Sequence, residues 1–528
     1  MRLGPTGLIE VVSPFDAVTQ AQLRSVRPAG RWIQRRGCWE FPLEAAVALQ
    51  QRLSGRFPAT PELAQWLAWM RQPLPPLPPH GALVEAAELK APLPDGRCLF
   101  RHQRLAVRWL LARRGAVLAD AMGLGKTLSS LAAARAMVRL ANCRIVVLAP
   151  AALKLHWQRE AASLNLTLEL HSWARLPTEL PEAGTVLIAD EAHFAQSITA
   201  RRTQAFLRLA RHPRLRAIWL LSGTPMKNGR PVQLLPLLAA IGHPLSRDQR
   251  AFEERYCQGH WRERGGRRIW EARGATHLEE LRRLVRPLVL HRVKRQCLDL
   301  PPKHRCLRTV CLDGAAARGF EHRLHSRVEE YRRRAARGDV RPDAEALATL
   351  SALRQIGSHY KLPATHHLVA TLSVQQEAVV VFTTFRSSAQ LLHQRLGGDG
   401  VAILLTGAQP AARRQREVDR FQDGQRSLLV ATFGAIGLGF SLHRARHVVL
   451  MERPWTPGDT EQAEDRCHRI GMGAALTSHW MQLGAADRLV DDVIASKTER
   501  ISQVFERPRD RADSGAMAQL ARRMLDRW

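Results

Sequence analysis

The sequence contains no CxxC pair. Its eight cysteines (Cys38, Cys98, Cys143, Cys257, Cys297, Cys306, Cys311 and Cys467) are scattered. Cys297, His304, Cys306 and Cys311 crowd together, but at the spacing of no common zinc module, so free thiols in a reducing cytosol are expected rather than a disulfide framework. No apolar run reaches the roughly 20 residues that cross a bilayer, and the opening MRLGPTGLIEVV starts no secretory signal. A soluble, intracellular protein with no membrane partner is the expectation. Acidic side chains are in deficit, 48 against 79 Lys+Arg, for a formal net charge of +31. So basic a chain suits a polyanion, because neutralising phosphates releases their counterions, and nucleic acid leads the candidates. Lysine is scarce too: most of the basic charge is arginine, which a GC-rich genome also produces, so the charge supports that reading without deciding it.

A chain of 528 residues exceeds one hydrophobic core, and two to four domains are expected. The most informative stretch is GAVLADAMGLGKTLSS at 115–130. An apolar run meets a tight Gly123-Leu124-Gly125 turn, and Lys126-Thr127 open a segment of helix formers. A strand, a phosphate-sized loop and a helix N-terminus follow one another. Backbone amides of such a loop converge on an anion, Lys126 reaches β/γ-phosphates, and the Thr127 hydroxyl can hold Mg²⁺. Asp120 stands where the full Walker string has its first glycine, so the reading depends on partner motifs downstream.

Those partners follow in order. LFRHQRLAVRWLL at 99–111 has helical spacing around Gln103, just before the loop. VLIADEAH at 186–193 is a buried strand with Asp190 and Glu191 at its carboxyl end, where ligands sit in open parallel sheets; Asp190 would hold Mg²⁺ and Glu191 would orient and deprotonate the attacking water. AIWLLSGTPMKNG at 217–229 is another buried strand, ending in Ser222-Gly223-Thr224-Pro225. A second alternating block begins at Ala378 with AVVVFTTF and runs through Gly437-Leu438-Gly439 to EQAEDRCHRIG at 461–471. The last reads as a helix on which Arg466 and Arg469, three apart, share a face. Across a cleft from the phosphate loop they would act as arginine fingers; otherwise they are a surface pair bridged to Glu464 or Asp465. Between the blocks, 244–370 reads as helical and very basic (Arg262, Arg264, Arg267, Arg268, then Arg332, Arg333 and Arg334), charge runs of a kind that usually mark solvated faces. At the start, GRWIQRRGCWEFP at 30–42 suggests a small α+β module in which Trp32 and Trp39 are core, or in which Arg31, Arg35 and Arg36 meet phosphates while a tryptophan stacks on a base. QPLPPLPPHG at 72–81 reads as a semi-extended linker.

DAMGLGKT, IADEAH, LSGTP, VFTTF and QAEDRCHRIG, in that order, resemble the Swi/Snf-related branch of superfamily 2 ATPases over about residues 95 to 500. AIGLGFSLHRARHVVLMERPW, ERYC at 254–257 and the start of the chain are similar to its annealing-helicase (HARP, SMARCA-like) subgroup. The resemblance implies an α/β fold of two RecA-like lobes, parallel sheets flanked by helices, with helical insertions and a small N-terminal α+β HARP-like module. The implied division is 1–71 for that candidate DNA-binding module, 72–94 for the linker, 95–243 for the first lobe, 244–370 for protrusions and connector, 371–500 for the second lobe and 501–528 for a basic helical tail. ATP and Mg²⁺ are the implied cofactors: Gly123, Leu124, Gly125, Lys126 and Thr127 on the phosphates, Gln103 on adenine, Gly439 near the nucleotide, Thr127 and Asp190 on the metal, Glu191 on the water, and Arg466 and Arg469 as fingers. Ala121 departs from the acidic residue usual in the branch, and Phe440-Ser441 from its branched residue and Asn.

The expectation is therefore a DNA-dependent ATPase that translocates along duplex, forked or junction DNA, as a monomer, for strand annealing or fork remodelling in the nucleoid of a bacterial cytoplasm. A strand-separating DNA or RNA helicase is the close rival. A non-catalytic architectural DNA-binding protein is the rival of another class.

Overall fold

The computed structural model describes residues 1–4, 8–13, 15–27, 29–42, 45–53, 57–61, 63–64, 89–180, 184–264, 266–337, 342–435 and 440–505. The proline-rich stretch, Gly439 and most of the C-terminal tail lie outside them. The chain divides into two compact units, one reaching Cys297 and taking back the chain from Arg500, the other running Leu298–Glu499.

The first unit starts with a four-stranded antiparallel sheet in the order β1-β2-β4-β3, from β1 (Arg2–Leu3), β2 (Ile9–Val11), β3 (Arg31–Ile33) and β4 (Cys38–Phe41). Helices Ala17–Ser25 and Ala46–Leu53 accompany it, the first capped by Asp16, whose carboxylate accepts from the Thr19 amide at 2.8 Å. Ile9, Val11, Leu23, Phe41 and Leu49 are wholly buried. Trp39 belongs to this core and donates its indole N–H to Gln20 at 3.0 Å, whereas Trp32 leans edge-on against it and stays 41% exposed. Arg36 pairs with Glu10 (3.0 Å) and Glu40 (3.3 Å) and Arg31 with Glu40 (3.7 Å), while Arg31, Arg35 and Arg36 all remain on the surface.

Six parallel strands follow: β5 (Gly115–Leu118), β6 (Arg144–Ala149), β7 (Glu169–Ser172), β8 (Thr185–Asp190), β9 (Leu215–Leu221) and, after an excursion, β12 (Val289–Leu290), in the order β12-β5-β9-β8-β6-β7. The central strands read as unbroken apolar runs because helices cover both faces of a parallel sheet; every residue of β8 is buried. Since β9 lies between β5 and β8, the loops leaving all three strands emerge side by side at one edge.

The segment expected to be helical and basic holds sheet as well. β10 (His260–Arg264) and β11 (Arg267–Glu271) form an antiparallel hairpin, so Arg262, Arg267 and Arg268 stand on a ribbon and not on a helix. The local chemistry explains it: Trp261, Ile269 and Trp270 favour strand, and Gly266, at φ +72°, suits the turn between them. Arg332, Arg333 and Arg334 do lie in a helix, Gly314–Ala336.

The second unit repeats the architecture. β13 (Lys303–Thr309), β14 (Val379–Thr383), β15 (Ala402–Leu405), β16 (Leu428–Thr432), β17 (His447–Leu450) and β18 (Leu476–Gln482) form a parallel sheet in the order β13-β18-β17-β14-β16-β15. Two parallel sheets flanked by helices are thus present, as the resemblance implied. The second is pinned by a buried carboxylate. Glu464 is 0% exposed and takes Lys303 (3.1 Å), Arg305 (2.6 Å), the Ser478 hydroxyl (2.8 Å) and the Trp480 indole (3.1 Å). Burial would raise its pKa, but the two cations and these hydrogen bonds overrule that and hold it down at about 2.

A folded-state pKa below the unfolded one stabilises above the unfolded value of about 4.5 and is lost as pH falls towards 2. Glu464→Gln is therefore expected to weaken the second unit by about 2–3 kcal/mol at pH 7, read as faster amide exchange in β13 and β18. The difference from the parent protein should shrink below pH 4; a gap independent of pH would refute the assignment.

Candidate active site

Loop 119–125 connects β5 to the helix Lys126–Ala141. Gly123 (φ +82°) and Gly125 (φ +74°) adopt left-handed conformations that L side chains resist, and Gly125 occupies the helix cap with no side chain to block it. The first amides of the helix consequently face the loop's concavity together with the positive end of the helix dipole. Lys126 bends over the loop, its Nζ donating to the carbonyls of Asp120 (2.7 Å) and Ala121 (3.3 Å).

Asp120 proves to be structural. It is 1% exposed and receives Arg292 in a two-pronged pair, Nε to Oδ1 at 2.9 Å and a terminal nitrogen to Oδ2 at 2.5 Å. The other terminal nitrogen of Arg292 donates to the His102 carbonyl (2.8 Å), and the His102 ring meets the Leu124 carbonyl (3.0 Å). Burial alone would lower the Arg292 pKa, and Asp120 raises it instead.

Gln103 is 4% exposed on the helix Arg101–Leu111. Its carbonyl oxygen accepts from the Phe100 amide (2.9 Å), and its amide nitrogen rests against Gly125 so closely that a Cβ there would lie 2.2 Å away.

The acidic pair sits at the end of β8. The Asp190 carboxylate accepts from the Trp157 indole (2.9 Å) and the Glu191 amide (2.9 Å), while the Trp173 indole donates to the Asp190 carbonyl (2.7 Å). Burial first, and the Glu191 charge second, push Asp190 up to about 7 against the opposing pull of Trp157 and Lys126. A carboxylate so placed favours a cation beside it. Glu191 turns out of the strand at φ +49° and faces His193, Oε2 to Nδ1 at 3.1 Å. Thr127 opens the loop helix, so its hydroxyl and the Asp190 carboxylate are the donors available to Mg²⁺. Among the described residues no group of three or more His, Cys, Asp or Glu is placed to hold a metal alone.

The loop after β9 closes the edge. A Cβ on Gly223 would stand 2.9 Å from Met122 Cγ and 3.4 Å from Lys126 Nζ, so a larger residue there would have to push the Met122 side chain aside. Ser222 accepts from the Thr224 amide (3.2 Å), and Gln233 links Gln196 (2.9 Å) to the Asn228 amide (2.9 Å). The structure thus gathers Gln103, Gly123, Leu124, Gly125, Lys126, Thr127, Asp190 and Glu191 at one edge of one sheet.

In the second unit, the helix Pro457–Cys467 ends two residues before Arg469, so Arg466 and Arg469 do not share a helix face. His468 breaks the helix at ψ +84°, its ring bonding to the Pro301 carbonyl (2.8 Å). The two guanidinium groups nonetheless converge, donating to the same Phe440 carbonyl at 3.4 and 3.5 Å. Glu464 is already occupied by Lys303 and Arg305. Beside Arg466 a cavity of about 180 Å³ is lined by Phe382, Phe433 and Gln462 at the carboxyl edge of the second sheet. Gly439 lies outside the described residues.

Three contributors escaped sequence reasoning. Trp157 and Trp173 belong to none of the motifs, although an indole N–H is a donor that must find an acceptor once buried. Arg292 sits 172 residues from Asp120, and an arginine-rich chain gives no sign of which arginine is paired.

The sequence matches the SNF2-related domain over residues 102–172 and 178–362, and the helicase conserved C-terminal domain over 361–471. It is 28% identical over 447 residues to the mouse (Mus musculus) DNA annealing helicase and endonuclease ZRANB3, covering 77% of this chain and 40% of that protein. It is 26% identical over 437 residues to the SWI/SNF-related matrix-associated actin-dependent regulator of chromatin subfamily A-like protein 1 of Xenopus tropicalis, covering 77% and 45%. The chain thus spans less than half the length of these relatives. The Sulfolobus solfataricus SWI2/SNF2 ATPase core in complex with dsDNA aligns with 79% of this chain and 99% of its own, at 20% identity and a TM-score of 0.37.

Two outcomes follow from the geometry. Trp157→Phe removes one hydrogen bond to Asp190 and keeps the ring, so in the metal-free protein the Asp190 carboxyl should titrate still further above its ordinary range, read from the pH dependence of its infrared carboxyl band; an unmoved titration would show that Trp157 only packs. Arg292→Ala strands Asp120 as a buried charge and should cost the first unit about 3–5 kcal/mol in denaturant unfolding, with nucleotide affinity falling in parallel.

Proposed function

We propose that this chain, which matches the SNF2-related and helicase C-terminal domains, hydrolyses ATP with Mg²⁺ on duplex or branched DNA and converts the cycle into translocation. The supporting observation is the convergence of Lys126, Asp190, Glu191 and the Gly223 turn on one sheet edge. In this reading Gly123, Leu124, Gly125, Lys126 and Thr127 bind the phosphates and Gln103 faces adenine. Thr127 and Asp190 hold Mg²⁺, which supplies charge neutralisation at the transferring phosphate. Glu191, kept close to His193, orients and deprotonates water. Arg466 and Arg469 add positive charge in the transition state.

The relatives' names point to annealing, and the +31 net charge to a phosphate backbone. The chain is proposed to act as a monomer on forks or single/double-strand junctions in DNA repair, in the cytoplasm on the nucleoid. The N-terminal module offers Arg31, Trp32 and Arg35 for junction recognition, since Trp39 is committed to its core and Arg36 is held by the two carboxylates Glu10 and Glu40.

ATPase rates with duplex, single-stranded and forked DNA and with RNA test the proposal. Duplex and fork should stimulate most, and Lys126→Ala and Glu191→Gln should each remove at least about 100-fold. Alanine at Arg31, Trp32 and Arg35 together should erase the preference for forks and spare duplex stimulation. Equal rates with all four nucleic acids would end the junction reading; strand displacement from a tailed duplex would favour an unwinding helicase.

A further inference from the structure

The hairpin β10–β11 is left unexplained by the ATP site. Its register pairs Trp261 with Trp270 and Glu263 with Arg268 on one face, and Arg262 with Ile269 on the other. Trp261 is 49% exposed and Ile269 48%. A two-stranded ribbon is marginal on its own in water, and this one spends large apolar side chains on solvent.

Its root, by contrast, is fixed. Trp270 donates its indole N–H to Glu253 at 2.5 Å, and Gly259 lies so close that a Cβ would meet Trp270 at 2.4 Å. The Gly259 amide bonds to the Glu253 carbonyl (2.8 Å), Gly274 to Cys257 (2.9 Å) and Thr276 to Tyr256 (3.0 Å). Arg250, from the helix Gln249–Tyr256, lays its guanidinium over both indoles, 3.3 Å from the Trp270 centroid and 4.9 Å from that of Trp261. Arg268 approaches Trp261 at 5.5 Å. The two indoles meet edge to face at 5.6 Å.

Most acids around the ribbon are engaged by its own groups, Glu253 by Trp270 and Gln249, Glu254 by Arg250 and Glu271 by Arg262, while Glu263 stands exposed opposite Arg268. Arg267 and Arg268 remain exposed towards the turn. A half-exposed indole set among guanidinium groups on a rigid mount combines a stacking platform with phosphate-binding charge. The bases of a duplex have their faces covered by neighbours; only an unpaired base can offer one to an indole.

We propose that the β10–β11 hairpin binds the single-stranded part of a DNA junction, with Trp261 stacking on an unpaired base and Arg267 and Arg268 meeting the adjoining phosphates. The proposal rests on DNA being the partner of this ATPase, and it assigns the strand that the ATPase lobes do not need. The fixed root means that little conformational freedom is lost on stacking.

The test uses the full chain with three fluorescein-labelled probes: a blunt duplex, the same duplex with an oligothymidine tail, and the tail alone. A second set carries 2-aminopurine in the tail. Trp261→Ala should weaken binding to the tailed duplex and to the tail about tenfold, abolish quenching of 2-aminopurine, and leave blunt-duplex affinity and duplex-stimulated hydrolysis unchanged; Trp261→Phe should restore most of the loss. Arg267→Ala with Arg268→Ala should flatten the salt dependence of tail binding. Unchanged affinity and quenching for tailed DNA would overturn the proposal and leave the ribbon to a protein partner. An equal loss on blunt duplex would overturn it as well. Failure of the parent protein to hydrolyse ATP faster with any DNA would instead defeat the reading beneath it, a separate measurement.

Discussion

The pairing of Asp120 with Arg292 is the constraint on which the first lobe's chemistry depends. An aspartate in place of a loop glycine brings a buried charge to the back of the phosphate loop, where it is tolerable only if a cation meets it with satisfied geometry. Arg292 does so, and because it follows directly on β12, the pair also ties the sixth strand of the sheet to the loop. The same guanidinium holds the His102 carbonyl, so the glutamine helix, the phosphate loop and the returning strand are fixed against one another by one side chain. The curvature that lets Lys126 and the helix amides face a common point follows from that clamp.

The second sheet solves a similar problem with the signs reversed. There a single carboxylate, Glu464, gathers two cations from the strand that opens the lobe and two donors from β18. Since that carboxylate is saturated, the neighbouring Arg466 is directed elsewhere, to the carbonyl it shares with Arg469. The geometry of the candidate fingers thus depends on a residue that never approaches the nucleotide.

Motif-bearing elements were legible because they obey local rules: apolar runs such as VLIAD form central strands, Gly123 and Gly125 mark a turn, and acids belong at a strand's carboxyl end. Gln103, Lys126, Asp190 and Glu191 came to one edge as their order implied. What could not be read depends on distance in sequence or on competition between local signals. Trp157, Trp173 and Arg292 act through partners far along the chain. The hairpin was hidden in a run of arginines, where charge masked the aromatic alternation and the Gly-Gly turn. Arg469 left its helix because His468 found the Pro301 carbonyl, a choice that helical spacing cannot foresee.

The position of Lys126 also bears on the speed of loading. Its ammonium is already stripped of part of its water and held by the carbonyls of Asp120 and Ala121. An arriving phosphate need not recruit a waving side chain from solvent or break an ion pair; it exchanges two neutral acceptors for a charged one, a short rotation away. In the proposed nucleotide site the backbone itself is thus the competitor for the ammonium.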